Sequence, residues 1–158
     1  ALHRQIKPFL LRRMKQDVLL ELPDKIETET VCDMTEKQRA VYDSYRQEAS
    51  KAFETEVSDK GLAHSQIFIL TLLTRLRQIC CDPVLCEPDY KGDNGKLLLL
   101  EELLADSFAA GHRVLVFSAF TSMLEIIRER QKALGQNAFY IDGQVPAEER
   151  LAQVQRFN

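Results

Sequence analysis

The most constraining stretch of this chain is residues 113–118, Arg-Val-Leu-Val-Phe-Ser, a continuous apolar run with helical periodicity on both sides of it. Residues 96–110 read as a helix that Gly111 closes from the position just past its end. Residues 122–134 read as the next helix, with Leu124 and Ile127 inward and Gly135 as its stop. A second short run, 138–141, follows. Asp142-Gly143 then turns the chain, and Pro146 stands where the first residue of a further helix belongs, with Leu151, Val154 and Phe157 recurring every three residues. A strand that is apolar throughout marks a parallel sheet covered on both faces. The order helix, strand, helix, strand, helix predicts a right-handed parallel βαβ unit and hence an α/β fold class.

The preceding half has a different character. Residues 26–32 alternate loosely, with Ile26, Thr28, Thr30 and Cys32 on one face, and predict an edge strand. Thr35-Glu36-Lys37-Gln38 is a capping box, in which Thr35 accepts from the Gln38 amide and the Gln38 side chain reaches back. The helix it starts carries Val41, Tyr45, Ala49 and Ala52 on one stripe and frays near Gly61. Ser65 is positioned to cap a second helix whose wide apolar face is Ile69, Leu72, Leu73, Leu76 and Ile79, and Pro83 ends it. The two helices predict an antiparallel hairpin. Pro83, Pro88, Gly92 and Asp93-Asn94-Gly95 mark a loop over 82–95 and an organisational boundary.

Composition enters as a set of exclusions. At 158 residues and 45% hydrophobic, the chain holds enough for a packed core and is not a disordered tail. Its formal charge of -3 argues against bulk, histone-like nucleic-acid binding but not against a local basic patch such as Arg4, Lys7, Arg12, Arg13 and Lys15. That patch also fits a solvated turn beside the apolar anchor Phe9-Leu10-Leu11. No apolar run approaches the length of a membrane span, and no secretory leader is expected. Cys32, Cys80, Cys81 and Cys86 lack the paired spacing of a zinc site and read as buried free thiols in a reducing compartment, so no metal is expected. The ends, Ala1-Leu2-His3 and Arg156-Phe157-Asn158, suggest a piece of a longer protein.

Ligands of open parallel sheets bind in loops after the carboxyl ends of strands. Two such loops are expected, Ser118-Ala119-Phe120-Thr121 and Asp142-Gly143-Gln144-Val145. Neither contains a glycine-rich phosphate cradle, and no nucleophile–base arrangement is placed by spacing.

Four segments, in order, resemble one family. Residues 9–18, Phe-Leu-Leu-Arg-Arg-Met-Lys-Gln-Asp-Val, with Glu21-Leu22-Pro23-Asp24-Lys25, are similar to the stretch leading into the second ATPase lobe of SWI/SNF-type enzymes. Leu76-Arg77-Gln78-Ile79-Cys80 with Pro83 resembles the close of that family's second helical protrusion. Residues 114–120 resemble helicase motif IV, and Tyr140-Ile141-Asp142-Gly143 with Arg150 and Arg156-Phe157-Asn158 resembles the next block.

The resemblance implies a partial RecA-like (P-loop-type) second helicase lobe with an inserted helical hairpin. Residues 1–34 would form its lead-in, 35–95 the protrusion and loop, and 96–158 the truncated lobe. It implies a parent enzyme that hydrolyses ATP with Mg²⁺ and translocates along duplex DNA, often displacing bound protein. No catalytic residue and no bound cofactor is expected in these 158 residues. The positions matching the family's DNA contacts are Ser118, Phe120, Gly143 and Arg150, with Arg12 and Arg13 either bracing the lobes or touching DNA. Ala119 stands where the family usually has Gln, and Gln144-Val145 where it has small hydroxyl residues. The plainer alternative is that Gly143 only permits the turn and Arg150 is a solvated helix residue.

Expected partners are double-stranded DNA and DNA-bound protein, with no membrane, and self-association through an exposed sheet edge. The expected location is cytoplasmic for a bacterial source and nuclear for a eukaryotic one, not secreted. The alternatives are an RNA-directed helicase lobe of the same superfamily and a non-enzymatic α/β interaction module.

Overall fold

The structure is a computed structural model that describes residues 26–62 and 64–158. Arg12, Arg13, the anchor at 9–11 and the lead-in up to Lys25 lie outside the described residues. The chain divides after Val31 into two compact units. Residues 26–31 of the first form no strand, and Ile26 and Val31 are about nine-tenths exposed, so the edge strand expected there is not formed.

The second unit, Cys32–Asn158, is built from five helices. Helix α1 (Glu36–Lys60) starts at Thr35, whose hydroxyl accepts from the Gln38 amide at 3.3 Å, and stops at Gly61, φ 75°. Only half of the expected capping box is realised, because the Gln38 side chain turns away from the cap. It is 1% exposed and donates from Nε2 to the Ile79 carbonyl at 3.0 Å, while its Oε1 accepts from the Gly95 amide at 3.1 Å. Both ends of a buried amide are thereby satisfied at sites remote in sequence, which a local sequence pattern does not reveal.

Helix α2 (Gln66–Cys81) runs back along α1. Gln38 at the start of α1 meets Ile79 near the end of α2, and Ser65 bonds to Glu56 across the loop, as expected for an antiparallel hairpin. Ser65 does not cap α2. Its buried hydroxyl donates instead to the Gly61 carbonyl at 2.9 Å and holds the loop. The α1 stripe Val41, Tyr45, Ala49 and Ala52 faces inward.

A 3₁₀ turn (Pro83–Leu85) follows, opened by Asp82, which accepts from the Val84 amide. The other Asp82 oxygen accepts from Asn94 Nδ2 at 2.7 Å, and Asn94 caps helix α3 (Gly95–Ala109) by accepting from the Leu97 amide at 2.9 Å. Helix α4 is Thr121–Ala133 and α5 is Ala147–Phe157. Gly111 (φ 76°) and Gly135 (φ 74°) close α3 and α4. His112 donates to Ser107 and Gln136 to Gln131, both at 2.9 Å, which is the left-handed helix stop anticipated at both glycines. Buried Leu97, Leu104, Met123 and Ile79 form the small core.

The expected α/β class and parallel βαβ core are not found: no strand or sheet occurs among the described residues. Residues 113–120 have no regular secondary structure, yet their exposure alternates as a strand's would, with Val114, Val116, Ser118 and Phe120 half-buried and the intervening residues exposed. Only one face is covered, however; Leu115 is 66% and Phe117 87% exposed. A strand exists through ladder bonds to a neighbouring backbone, and neither 113–118 nor 138–141 has one among the described residues. With no sheet among the described residues, the sheet edge invoked for self-association has no support there. The face Leu151, Val154, Phe157 of α5 is aligned as expected but unburied, since no sheet lies beneath it.

Candidate nucleic-acid interface

The first loop lies where the segment 113–118 enters α4. Ser118 Oγ accepts from the Phe120 amide at 3.1 Å, a local turn that sets the start of the helix. The Arg77 guanidinium of α2 stands 5.8 Å from the centre of the Phe120 ring. Ser118 also hydrogen-bonds the Cys81 thiol, which burial pushes up in pKa, against the opposing charge of Lys96. The end of α2 thus backs this loop. Cys80 and Cys86 are likewise held up by burial. All four cysteines are free and half-buried, rather than buried as expected.

The second loop, 142–145, is the more ordered of the two. Asp142 Oδ1 accepts from the Gln144 amide at 2.8 Å and the Val145 amide at 3.2 Å, and its Oδ2 accepts from the Tyr140 hydroxyl at 3.1 Å. Those bonds, the Gln144 amide first, lower the Asp142 pKa. Burial and the bond to Asp142 raise that of Tyr140. The Arg128 guanidinium lies 4.9 Å over the Tyr140 ring. Arg150 reaches back from α5, its Nη2 donating to the Asp142 carbonyl at 3.1 Å and the Val145 carbonyl at 3.2 Å.

Gly143 is exposed, and its φ lies outside the left-handed region. A Cβ placed on it would meet nothing within 4 Å. The turn therefore does not need glycine at this position. Arg150 is exposed on α5 and bonds back to the turn. No hydrogen bond or ring contact joins the two loops to each other among the described residues. Sequence reasoning placed Asp142 in the turn but missed its bonds to the Gln144 and Val145 amides, and missed Tyr140 and Arg77 as supports of the loops. The Asp142 bonds carried a local signal, since an Asp two residues ahead of an amide commonly closes such a turn; Tyr140 and Arg77 carried none.

A cavity of about 490 Å³ at the start of α1 is lined by Thr35, Glu36, Lys37, Lys91, Gly92 and Asp93. It carries charges of both signs and lies away from both loops in sequence.

Comparison with known proteins decides what kind of chain this is. Residues 1–85 match the SNF2-related domain, and residues 95–158 match the helicase conserved C-terminal domain. The chain belongs to the SNF2-related family. Among SNF2-related relatives, mouse (Mus musculus) chromodomain-helicase-DNA-binding protein 1-like is 36% identical over 99% of this chain. The human (Homo sapiens) SWI/SNF-related matrix-associated actin-dependent regulator of chromatin subfamily A member 1 is 33% identical over 99%. ATP-dependent helicase brm of Drosophila melanogaster is 32% identical over 99%. The chain spans only 18%, 16% and 11% of the lengths of these three SNF2-related proteins.

Proposed function

We propose that this chain is the helical-protrusion and C-terminal helicase segment of an ATP-dependent, duplex-DNA-translocating enzyme that remodels DNA-bound protein. It divides near residue 95, where the second family match begins. Relatives named for DNA and chromatin favour duplex DNA over RNA and an enzyme over a passive interaction module. All of these relatives are eukaryotic, which favours a nuclear setting over a bacterial cytoplasm.

ATP and Mg²⁺ belong to the parent's activity on this reading, but the described residues do not fit them. No three His, Cys, Asp or Glu side chains converge on a metal-sized site among the described residues, and the cavity at the start of α1 sets Glu36 and Asp93 beside Lys37 and Lys91, a mixed lining rather than a set of donors for a triphosphate. This segment's own contribution is to hold DNA. The observation that carries the reading is the 142–145 turn: an exposed Gly143 that the fold does not require, set beside the Arg150 guanidinium. Arg150 spends one nitrogen on the turn and has further N–H donors for a phosphate oxygen. Ser118 and Phe120 form a second, weaker contact. The Ser118 hydroxyl is already engaged, and Phe120 can offer only its ring and backbone.

In the full-length parent, Arg150→Ala is expected to weaken duplex-DNA binding and to lower the salt slope of log K by about one unit. An unchanged slope would leave Arg150 as a brace of the turn alone.

A further inference from the structure

The bonds of the 142–145 turn assign a role to a residue that does not itself face the proposed ligand. Asp142 takes up two successive backbone amides, Gln144 and Val145, on one carboxylate oxygen. The Gly143 N–H is left without a partner among the described residues, on an exposed and uncrowded position. Its second oxygen is occupied by the Tyr140 hydroxyl, and Tyr140 is in turn covered by Arg128. Arg150 grips the carbonyls at both ends of the same turn. An anion approaching Gly143 thus meets one free amide and one guanidinium. The nearby carboxylate already accepts from three donors of this chain, the Gln144 and Val145 amides and the Tyr140 hydroxyl.

We propose that Asp142 is a positioning residue that presents the Gly143 amide and the Arg150 guanidinium to a single backbone phosphate of duplex DNA. The inference rests on the reading of the previous section and extends it to a side chain with no DNA contact of its own. Two features distinguish Asp142 from an ordinary turn-former. The residue after it is a glycine that neither backbone angle nor crowding demands. And its carboxylate is anchored from outside the turn, by Tyr140.

The test uses the full-length parent and reads DNA-stimulated ATP hydrolysis as a function of duplex concentration. Asp142→Ala frees two amides and lets the turn open. The half-saturating DNA concentration is expected to rise about tenfold, with kcat at saturating DNA within about twofold of the parent. Asp142→Asn keeps an oxygen that accepts from the same amides and should recover most of that loss. Tyr140→Phe, which keeps the ring under Arg128 and removes only the hydroxyl, is expected to raise half-saturating DNA about twofold to threefold. It also serves if the alanine variant does not fold.

Gln144→Glu tests the site rather than the role. A new carboxylate beside the proposed phosphate should raise half-saturating DNA. If Gln144→Glu weakens DNA while Asp142→Ala and Tyr140→Phe leave it unchanged, the positioning role is overturned and the site stands. If Gln144→Glu too is without effect, the DNA site itself is wrong. A fall in kcat with unchanged half-saturating DNA in Asp142→Ala would also overturn the role, since it would mark a purely structural residue.

Discussion

Gln38 ties more of this molecule together than any apolar side chain. Its amide joins the start of α1, the end of α2 and the start of α3, and it is almost completely buried. Removing it strands a carbonyl at Ile79 and an amide at Gly95, each costing about 1–3 kcal/mol when buried without a partner. Gln38→Glu is the more informative change, because an ionised carboxylate can accept from Gly95 but cannot donate to Ile79. Only the protonated acid satisfies both, so the folded state raises the pKa above the unfolded value of about 4.3. The variant should be close to the parent in stability below about pH 4 and should lose stability as pH rises through its folded-state pKa. Chemical denaturation across pH 3–8 checks this, and a flat difference from the parent would contradict it. Asp142 has the opposite sign. Its pKa is lowered, so the order it gives the 142–145 turn is present above the ordinary carboxylate range and lost as pH falls through the folded value.

Among the elements, the helix ends at Thr35, Gly111 and Gly135 were legible in advance, while the Ser65 cap and the strands were not. Thr35, Gly111 and Gly135 bound their helices as read, because a cap is a bargain between a residue and its own neighbours in the chain. The same locality explains Gly143. Gly111→Ala should cost about 1–2 kcal/mol, since its φ of 76° is hostile to a Cβ, whereas Gly143→Ala should change thermal stability by less than about 0.5 kcal/mol. Equal losses at the two sites would refute the distinction. Residues 113–118 carry the composition and the alternation of a strand, but a ladder is supplied by other backbone, which no window of local sequence can report. The candidate site was half legible for a related reason. Gly143 and Arg150 came from resemblance, while the Tyr140–Asp142 support depends on how the turn closes. The backing of Phe120 by Arg77 is a contact over 43 positions.

The unit Cys32–Asn158 is a set of helices with few fully buried apolar side chains, and no helix among the described residues is long and apolar enough to cross a membrane. Much apolar surface stays outside, including Ile67, Leu70, Leu115 and Phe117. Phe117 loses little water on folding, so Phe117→Ser should leave the unfolding free energy within about 0.5 kcal/mol of the parent. Equilibrium urea denaturation measures this, and a loss of several kcal/mol would show that the ring is packed. Against that loosely covered surface, the tie of Gln38, Asp82 and Asn94 is the firmest long-range feature. It seats one end of α1, whose 25 residues extend about 37 Å away from it. A small rotation at that seat grows along the length of the helix: a tilt of about 5° would move the far end of α1 by about 3 Å.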